Sequence, residues 1–442
     1  MIQSTAQFFT KIMQRWLPNA FLFALILTLV VLVAGILGQD KSAEQMAGYW
    51  GGGIWNLLTF SMQVLLTLVA GHVVAQAPLV KRMLRALAGV AHTPGRAIVL
   101  MTLVAMFCCW LNWGFGLIAS ALLAREIARN VEGVHYPLLV ASAYSGMLIW
   151  HAGLSGSIPL KIAETGEDTV SAVMAGQIIP VSETIFSWPV LVIVGVLWAS
   201  LPLINRLMHP APSDTYCVDA KQLEDQKVIA PSIKSLPPAE RLEHNTLMPL
   251  LLVALGGYYL VNFFIQGGAI GLNTINLILL LVGLALHKTS VNYLAAMDEA
   301  VRGTSGIVLQ FPLYAGIMGM MVESGLAASI SQWFVSISTA ETFPLFTFLS
   351  AGIVNFFVPS GGGQWAVQGP IVMPAAEALG VPLNEAAMAV AFGDAWTNMV
   401  QPFWALPLLA IAGLGIKDIM GYCTVVLLWS GMVICVGMLV FF

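Results

Sequence analysis

Apolar runs long enough to cross a bilayer recur from one end of this chain to the other, and no other feature constrains its fold as much. The first, Pro18 to Leu37, carries no charged residue. A hydrocarbon core about 30 Å thick takes about 20 helical residues to cross. On that measure the sequence predicts nine full crossings, at 18–38, 54–77, 136–160, 178–204, 247–265, 269–287, 303–322, 386–412 and 419–441. Charged side chains are 9% of the 442 residues against 58% hydrophobic ones, and mean hydropathy is +0.86, which leaves too little charge to clothe a water-facing surface. The expected class is all-α integral membrane protein, multi-pass, embedded in a lipid bilayer. Lys11 and Arg15 precede the first run, which is too long for a signal-peptide core and has no small-residue cleavage site after it, so it reads as a retained span.

Two further apolar stretches, about 96–124 and 343–376, are interrupted by polar and Gly-rich sequence and are too short for two crossings each. They read as re-entrant helical hairpins, because irregular backbone survives at membrane depth only where protein or a water-filled cavity covers it. The hydrophilic stretch 206–246, with Pro210, Pro212, Pro231, Pro237 and Pro238, reads as a cytoplasmic linker between an N-terminal unit 1–205 and a C-terminal unit 247–442.

Placing the N-terminus in the cytoplasm puts 16 of the 18 Lys and Arg residues inside, all but Lys41 and Lys161. Lys81, Arg82, Arg85 and Arg96 before the first hairpin, with Arg125 and Arg129 after it, call for a cytoplasmic mouth. From Gly303 to Ile416 there is no Lys or Arg, and Glu323, Glu341, Glu377 and Glu385 border the second hairpin, which is expected to face outward.

Laying 15–205 over 269–442 aligns Gln63 with Gln310, Asn112 with Asn355, and Ser155 with Asn398. The extra crossing at 247–265 would invert the second unit relative to the first. Inverted repeats with broken helices are the architecture of secondary transporters, with the solute held where the halves meet. Four breaks converge there: Asn112–Gly116, Asn355–Gly363, Gly153–Ser157 and Thr397–Gln401. Free N–H groups at the head of a half-helix favour an anion. Candidate solute-binding residues are therefore Asn112, Trp113, Gly114, Ser155, Gly156, Ser157, Asn355, Ser360, Gly361, Gly362, Gly363, Asn398 and Gln401; the competing reading is small-residue helix packing. No Arg lies at the midplane, which favours a monocarboxylate over a dicarboxylate. Buried ionisable groups are functional suspects in a membrane, so Asp394, His151 and His72 are candidates for ion coupling, with proton and sodium both open. For His72 the competing reading is an ordinary interfacial histidine.

Several classes are excluded or set aside. No basic patch with interleaved aromatics speaks for nucleic acid. Cys108, Cys109, Cys217, Cys423 and Cys435 fit neither a disulfide framework nor a zinc site. No phosphate-binding loop is present, so no nucleotide drives the cycle, and no metal, cofactor or catalytic residue is expected. Residues 153–156 read G-L-S-G, the form of the rhomboid protease motif, but Ser155 lacks a histidine on another span at its depth. A channel also stays open; opposed re-entrant tips favour alternating access.

The segments "RWLPNAFLFALILTLV", "NWGFGLIASALLAREIAR", "INLILLLVGLALHKT", "VPSGGGQWAVQGP" and "QPFWALPLLAIAGLGIKDIMGY" resemble the short-chain fatty acid transporter family over essentially the whole chain. The resemblance implies uptake of butyrate- and acetoacetate-like monocarboxylates through the bacterial inner membrane. It also implies kinship with a superfamily of ion-coupled carriers that have paired re-entrant hairpins and often form homodimers, whose solute carboxylate sits at Asn- and Gly-containing tips. It carries over to Asn112 in the first tip and to Asn355 and Ser360 in the second. The Ser-Asn-Thr tips of the dicarboxylate branch are absent, which puts that branch's sodium sites in doubt. A carrier for another small organic anion is the alternative within the superfamily.

Overall fold

The computed structural model describes residues 2–163, 177–218, 237–268, 272–302 and 304–442. These are helical wherever they are regular, and no strand occurs among them. The N-terminal unit begins with α1 (Ile2–Trp16), whose polar face carries Lys11 and Arg15, then α2 (Ala20–Gly38), started by Asn19, whose side chain accepts the Leu22 N–H at 2.8 Å. Next come α3 (Ala43–Gly53), α4 (Leu58–Gln76) and α5 (Pro78–Ala88). Pro78 cannot continue the ladder of α4, and the chain bends by 81° between them. Helices α6 (Pro94–Leu111) and α7 (Trp113–Asn130) meet at Asn112. Helix α8 (Tyr136–Tyr144) continues as a 3₁₀ segment, Ser145–Ala152, turns at Gly153–Gly156, and resumes as the short α9 (Ser157–Lys161). Helix α10 (Trp188–Leu207) completes the unit.

The C-terminal unit follows the short α11 (Pro238–Glu243). It comprises α12 (Leu247–Ile265), α13 (Leu272–His287), α14 (Ser290–Arg302), α15 (Ser305–Glu323) and α16 (Leu326–Ser336). The bend between α15 and α16 is 56°, turned at Gly325 with φ 87°. Helices α17 (Phe343–Phe357) and α18 (Gly361–Leu379) are joined by Val358–Ser360. Then α19 (Leu383–Thr397), a 3₁₀ turn at Asn398–Val400, α20 (Pro402–Ala412) and α21 (Ile416–Phe441) close the chain.

Six helical segments among the described residues are long and apolar enough to cross a membrane, or eight if each bent pair is one crossing, against the nine the sequence predicts. The run 178–204 does not become helical until Trp188: Pro180 stands near its start, and Pro189 sits in the first turn of the helix, where proline is tolerated. The run 386–412 is two helices parted at Gln401, and hydropathy does not register that break. Positions 269–271, Gly303 and the linker residues 219–236 lie outside the described residues.

The core lies where the two broken helices and the two helix pairs meet. Gly393 of α19 comes so close to α17 that a Cβ there would sit 2.3 Å from the Phe348 carbonyl oxygen, and Gly146 makes the matching approach to Ala105 of α6 at 2.5 Å. Only glycine lets backbone approach backbone this closely. Helix α12 is the opposite case, with only 6% of its best apolar window buried, so its surface suits lipid. The linker's first residues are pinned at Tyr216, whose N–H donates to His135 Nδ1 (2.9 Å) and whose carbonyl accepts the Tyr136 N–H (2.9 Å).

Candidate substrate and coupling site

The first tip is one residue long. Asn112 ends α6 in an extended conformation and starts α7, its Oδ1 accepting the Phe115 N–H at 3.0 Å. That is an ordinary N-cap, and it occupies the side chain that the sequence offers to a ligand. The next amide, of Trp113, donates to Ser155 Oγ at 3.0 Å, while the Leu154 N–H and the Trp110 indole donate to Trp110 O (2.7 Å) and Ala152 O (3.0 Å). The tip is thus stitched to the break Gly153–Gly156. Gly114 lies beside Thr67, 3.0 Å from Thr67 Cγ2 to a Cβ placed there.

The second tip is longer and more deeply buried. Ser360 caps α18, its Oγ accepting the Gly363 N–H at 3.2 Å. Asn355, fully buried in the last turn of α17, directs Nδ2 at Asn398 Oδ1 (2.7 Å), the Asp394 carbonyl (2.8 Å) and Thr397 Oγ1 (3.0 Å). Gln401 Nε2 returns to the Asn355 carbonyl at 2.9 Å, and the Tyr144 hydroxyl of α8 donates to the Asn398 carbonyl. These bonds hold the second break against the second tip and against the first broken helix. They leave Asn355 Oδ1, Gln401 Oε1 and Asn398 Nδ2 buried without a hydrogen-bond partner. Such orphans are costly inside protein, which makes this junction the candidate place for a ligand or ion.

His151 and Asp394 lie at this junction, each 1% exposed. His151 Nδ1 is 2.9 Å from the Ala391 carbonyl oxygen, which can only accept, so Nδ1 carries the proton of the neutral ring. Nε2 then accepts from Ser157 Oγ at 2.9 Å. Asp394 Oδ1 is 3.4 Å from Nδ1, and neither carboxylate oxygen has a hydrogen-bond donor. The head of α18 presses on the same group: a Cβ on Gly361 would lie 2.4 Å from Ser157 Oγ and 2.7 Å from the His151 ring.

The structure therefore unites Asn355, Ser360, Gly361, Asn398, Gln401, Ser157, His151 and Asp394, and joins Asn112, Trp113 and Ser155 to them through the first break. His72 stands apart, its Nε2 3.0 Å from Gln76 Nε2, beside a small cavity lined by Lys81, Arg125, Glu126 and Arg129. Glu126 pairs with Arg129 and lies 3.8 Å from Arg85. Sequence reasoning missed Thr397, Tyr144, Trp150 and Trp404. The indoles stand next to His151 and three residues beyond Gln401, which was the signal available. The G-L-S-G serine has no histidine partner in its own right, since Ser155 Oγ accepts the Trp113 amide. The serine beside His151 is Ser157, where Gly361 leaves no room for a scissile carbonyl.

The family model described as "Short chain fatty acid transporter" matches residues 1–442. A protein of Escherichia coli (strain K12), provisionally named a short-chain fatty acid transporter, is 45% identical over 443 residues, covering 100% of both chains. Its namesake from Haemophilus influenzae is 39% identical and covers 99% of both. The crystal structure of the Alcanivorax borkumensis YdaH transporter overlays with a TM-score of 0.46 at 15% identity, covering 96% of this chain and 97% of that one. Matched from end to end by a family of transporters rather than enzymes, this multi-pass helical membrane protein belongs to the short-chain fatty acid transporter family.

Proposed function

We propose that this chain takes up short-chain fatty acids, butyrate- and acetoacetate-like monocarboxylates, across the bacterial inner membrane by ion-coupled symport with alternating access. In this reading the N-terminus is cytoplasmic, 1–205 and 247–442 are inverted repeats, and α6–α7 and α17–α18 are re-entrant hairpins opening to opposite sides. The observation that carries it is the amide head of α18 pressed against Ser157 and His151, with Asp394 on the far side of the imidazole, at a buried junction of both units. The amides of Gly361 and Gly362, which the Ser360 cap leaves open, and the orphan Asn398 Nδ2 suit a carboxylate. The acceptor oxygens of Asp394, Asn355 and Gln401 suit a proton or a sodium ion.

The Asp394–His151 pair also gives a reason for coupling. With one proton on either partner the pair is neutral overall, or an internal ion pair, and tolerable at membrane depth. Without it a lone carboxylate stays buried, at a cost that disfavours crossing empty of the ion. A second copy of the chain and the surrounding lipid complete the proposed assembly, with α12 facing one of them.

The test is uptake of labelled butyrate and acetoacetate into proteoliposomes under an imposed proton or sodium gradient. Saturable accumulation under one gradient is expected. Accumulation under neither would remove symport, and non-saturating flux would return the channel.

A further inference from the structure

The site continues past His151 into an aromatic wall. The Trp150 ring stacks on the imidazole, with centroids 3.7 Å apart and 20° between planes. Trp113 and Trp404 meet each other edge-on at 5.1 Å and stand 6.2 and 6.3 Å from Trp150. The three indoles come from three different pieces of the junction: the residue after the first tip, the residue before His151, and the start of α20 beyond Gln401. All are buried, at 8%, 3% and 3% exposure for Trp113, Trp150 and Trp404. His151 thus has the glycine head of α18 at its Cε1–Nε2 edge and an indole on its face.

Plain packing does not account for Trp150. Its Nε1–H is buried with no hydrogen-bond partner, whereas the nearby Trp110 indole donates to Ala152 O and that of Trp396 to Leu427 O at 2.8 Å. Trp50 and Trp198 also have a buried Nε1 without a hydrogen-bond partner, on rings only half-buried and outside this aromatic cluster. Phenylalanine or leucine would fill the interior without stranding a donor.

Chain length supplies the reason. Every methylene an apolar pocket accepts tightens binding about fourfold. A site that only attracts would therefore favour longer acids over short ones. Preference for short acids needs a stop that refuses the extra carbons. We propose that Trp113, Trp150 and Trp404 are that stop, setting the chain length of a straight-chain monocarboxylate whose head lies at Gly361–Gly363 and whose tail abuts the indoles. This rests on the functional reading above and adds to it the residues that choose among acids.

The experiment uses the full chain in proteoliposomes, with labelled butyrate uptake competed by unlabelled butyrate, hexanoate and octanoate. The variants are Trp150→Leu, Trp404→Leu and the conservative Trp150→Phe. Each leucine variant is expected to raise the apparent affinity of hexanoate relative to butyrate by about fivefold or more, and Trp150→Phe by less. The wall is overturned if that ratio stays within about twofold of wild type in both leucine variants. It is also overturned if all three variants, Phe included, lose every acid in equal proportion, since that is what a purely structural role predicts. A wild type that takes up no butyrate removes the functional reading and the wall with it. A wild type that takes it up, with an unmoved ratio in the variants, removes the wall alone.

Discussion

The two tips solve one backbone problem with different chemistry. At the first, Asn112 is itself the turn, and its side chain is consumed in capping α7. At the second, capping passes to Ser360, which frees Asn355, five residues earlier, to bind the second break. Matching the sequence by letter pairs Asn112 with Asn355, yet in backbone role the partner of Asn112 is Ser360. At the first tip the Asn112 side chain and the Trp113 and Leu154 amides all have partners. Around the second, Asn355 Oδ1, Gln401 Oε1, Asn398 Nδ2 and both Asp394 oxygens are buried and without hydrogen-bond partners. Fully satisfied networks rigidify, while every buried polar group left unpaired is costly. In the proposed reading the first tip holds the frame and the second binds the solute.

The largest effect expected from that division is on coupling. Asp394→Asn keeps the shape of the side chain and removes the charge that His151 faces. It should abolish the dependence of uptake on the ion gradient while saturable exchange of labelled for unlabelled butyrate continues. Gradient dependence equal to wild type in the variant would take Asp394 out of the coupling step and weaken the case for the second tip.

Next is a pair of glycines. A methyl on Gly361 would lie 2.4 Å from Ser157 Oγ and 2.7 Å from His151, whereas on Gly114 it would meet Thr67 Cγ2 at 3.0 Å and nothing else nearer than 3.4 Å. Overpacking of the first kind costs about 1–3 kcal/mol and displaces the groups proposed to bind solute. Gly361→Ala should lower initial uptake rates by about thirtyfold or more, and Gly114→Ala by about threefold or less. Equal losses would erase the distinction between the tips.

The asparagines sharpen it further. Asn355→Ala strips the donor from Asn398 Oδ1, Thr397 Oγ1 and the Asp394 carbonyl at once. Leaving buried acceptors unmet costs about 1–3 kcal/mol, so uptake should fall at least about tenfold in protein that still inserts. Asn112→Ala loses one helix cap, about 1 kcal/mol, and should show mainly as a lower melting temperature in detergent. Were Asn112→Ala to lower uptake as much as Asn355→Ala, the first tip would belong to the binding site as fully as the second.

What the sequence announced follows one rule: a polar residue in an apolar run is expensive and is there for a purpose. That rule finds Asn355, Asp394, Asn398 and Gln401, all of which the structure brings together. It finds the breaks as well, because glycine and proline interrupt helices wherever they stand. It does not find the Ser157–His151 bond. On a helix His151 would face Ser155, four residues on, and the 3₁₀ segment and the turn at Gly153–Gly156 bring Ser157 there instead. The rule sets His72 apart only as a candidate interfacial histidine, and says nothing of which neighbour lies across the helix from either histidine. Trp150 and Trp404 pass unnoticed because an aromatic residue in an apolar segment looks like core; at Trp150 the buried N–H without a hydrogen-bond partner is what sets it apart.

The smallest effect tests whether the first tip is frame alone. Ser155→Ala removes the acceptor of the Trp113 N–H, a bond between α7 and the first break that is not part of any helix ladder. Trp113 is buried against Trp150 and Trp404, so its amide cannot readily turn to water. The loss should be about 1 kcal/mol of stability, read as a melting-temperature drop of a few degrees. Butyrate uptake at a temperature well below melting should stay within about threefold of wild type, because no group of the second tip is left without its partner. Ser157→Ala, only two residues away, removes instead the hydrogen bond to His151 Nε2 and should alter the pH profile of uptake more than the melting temperature. If the two serines exchange these signatures, with Ser155→Ala moving the pH profile and Ser157→Ala only the melting temperature, then binding belongs to the first tip and the frame to the second.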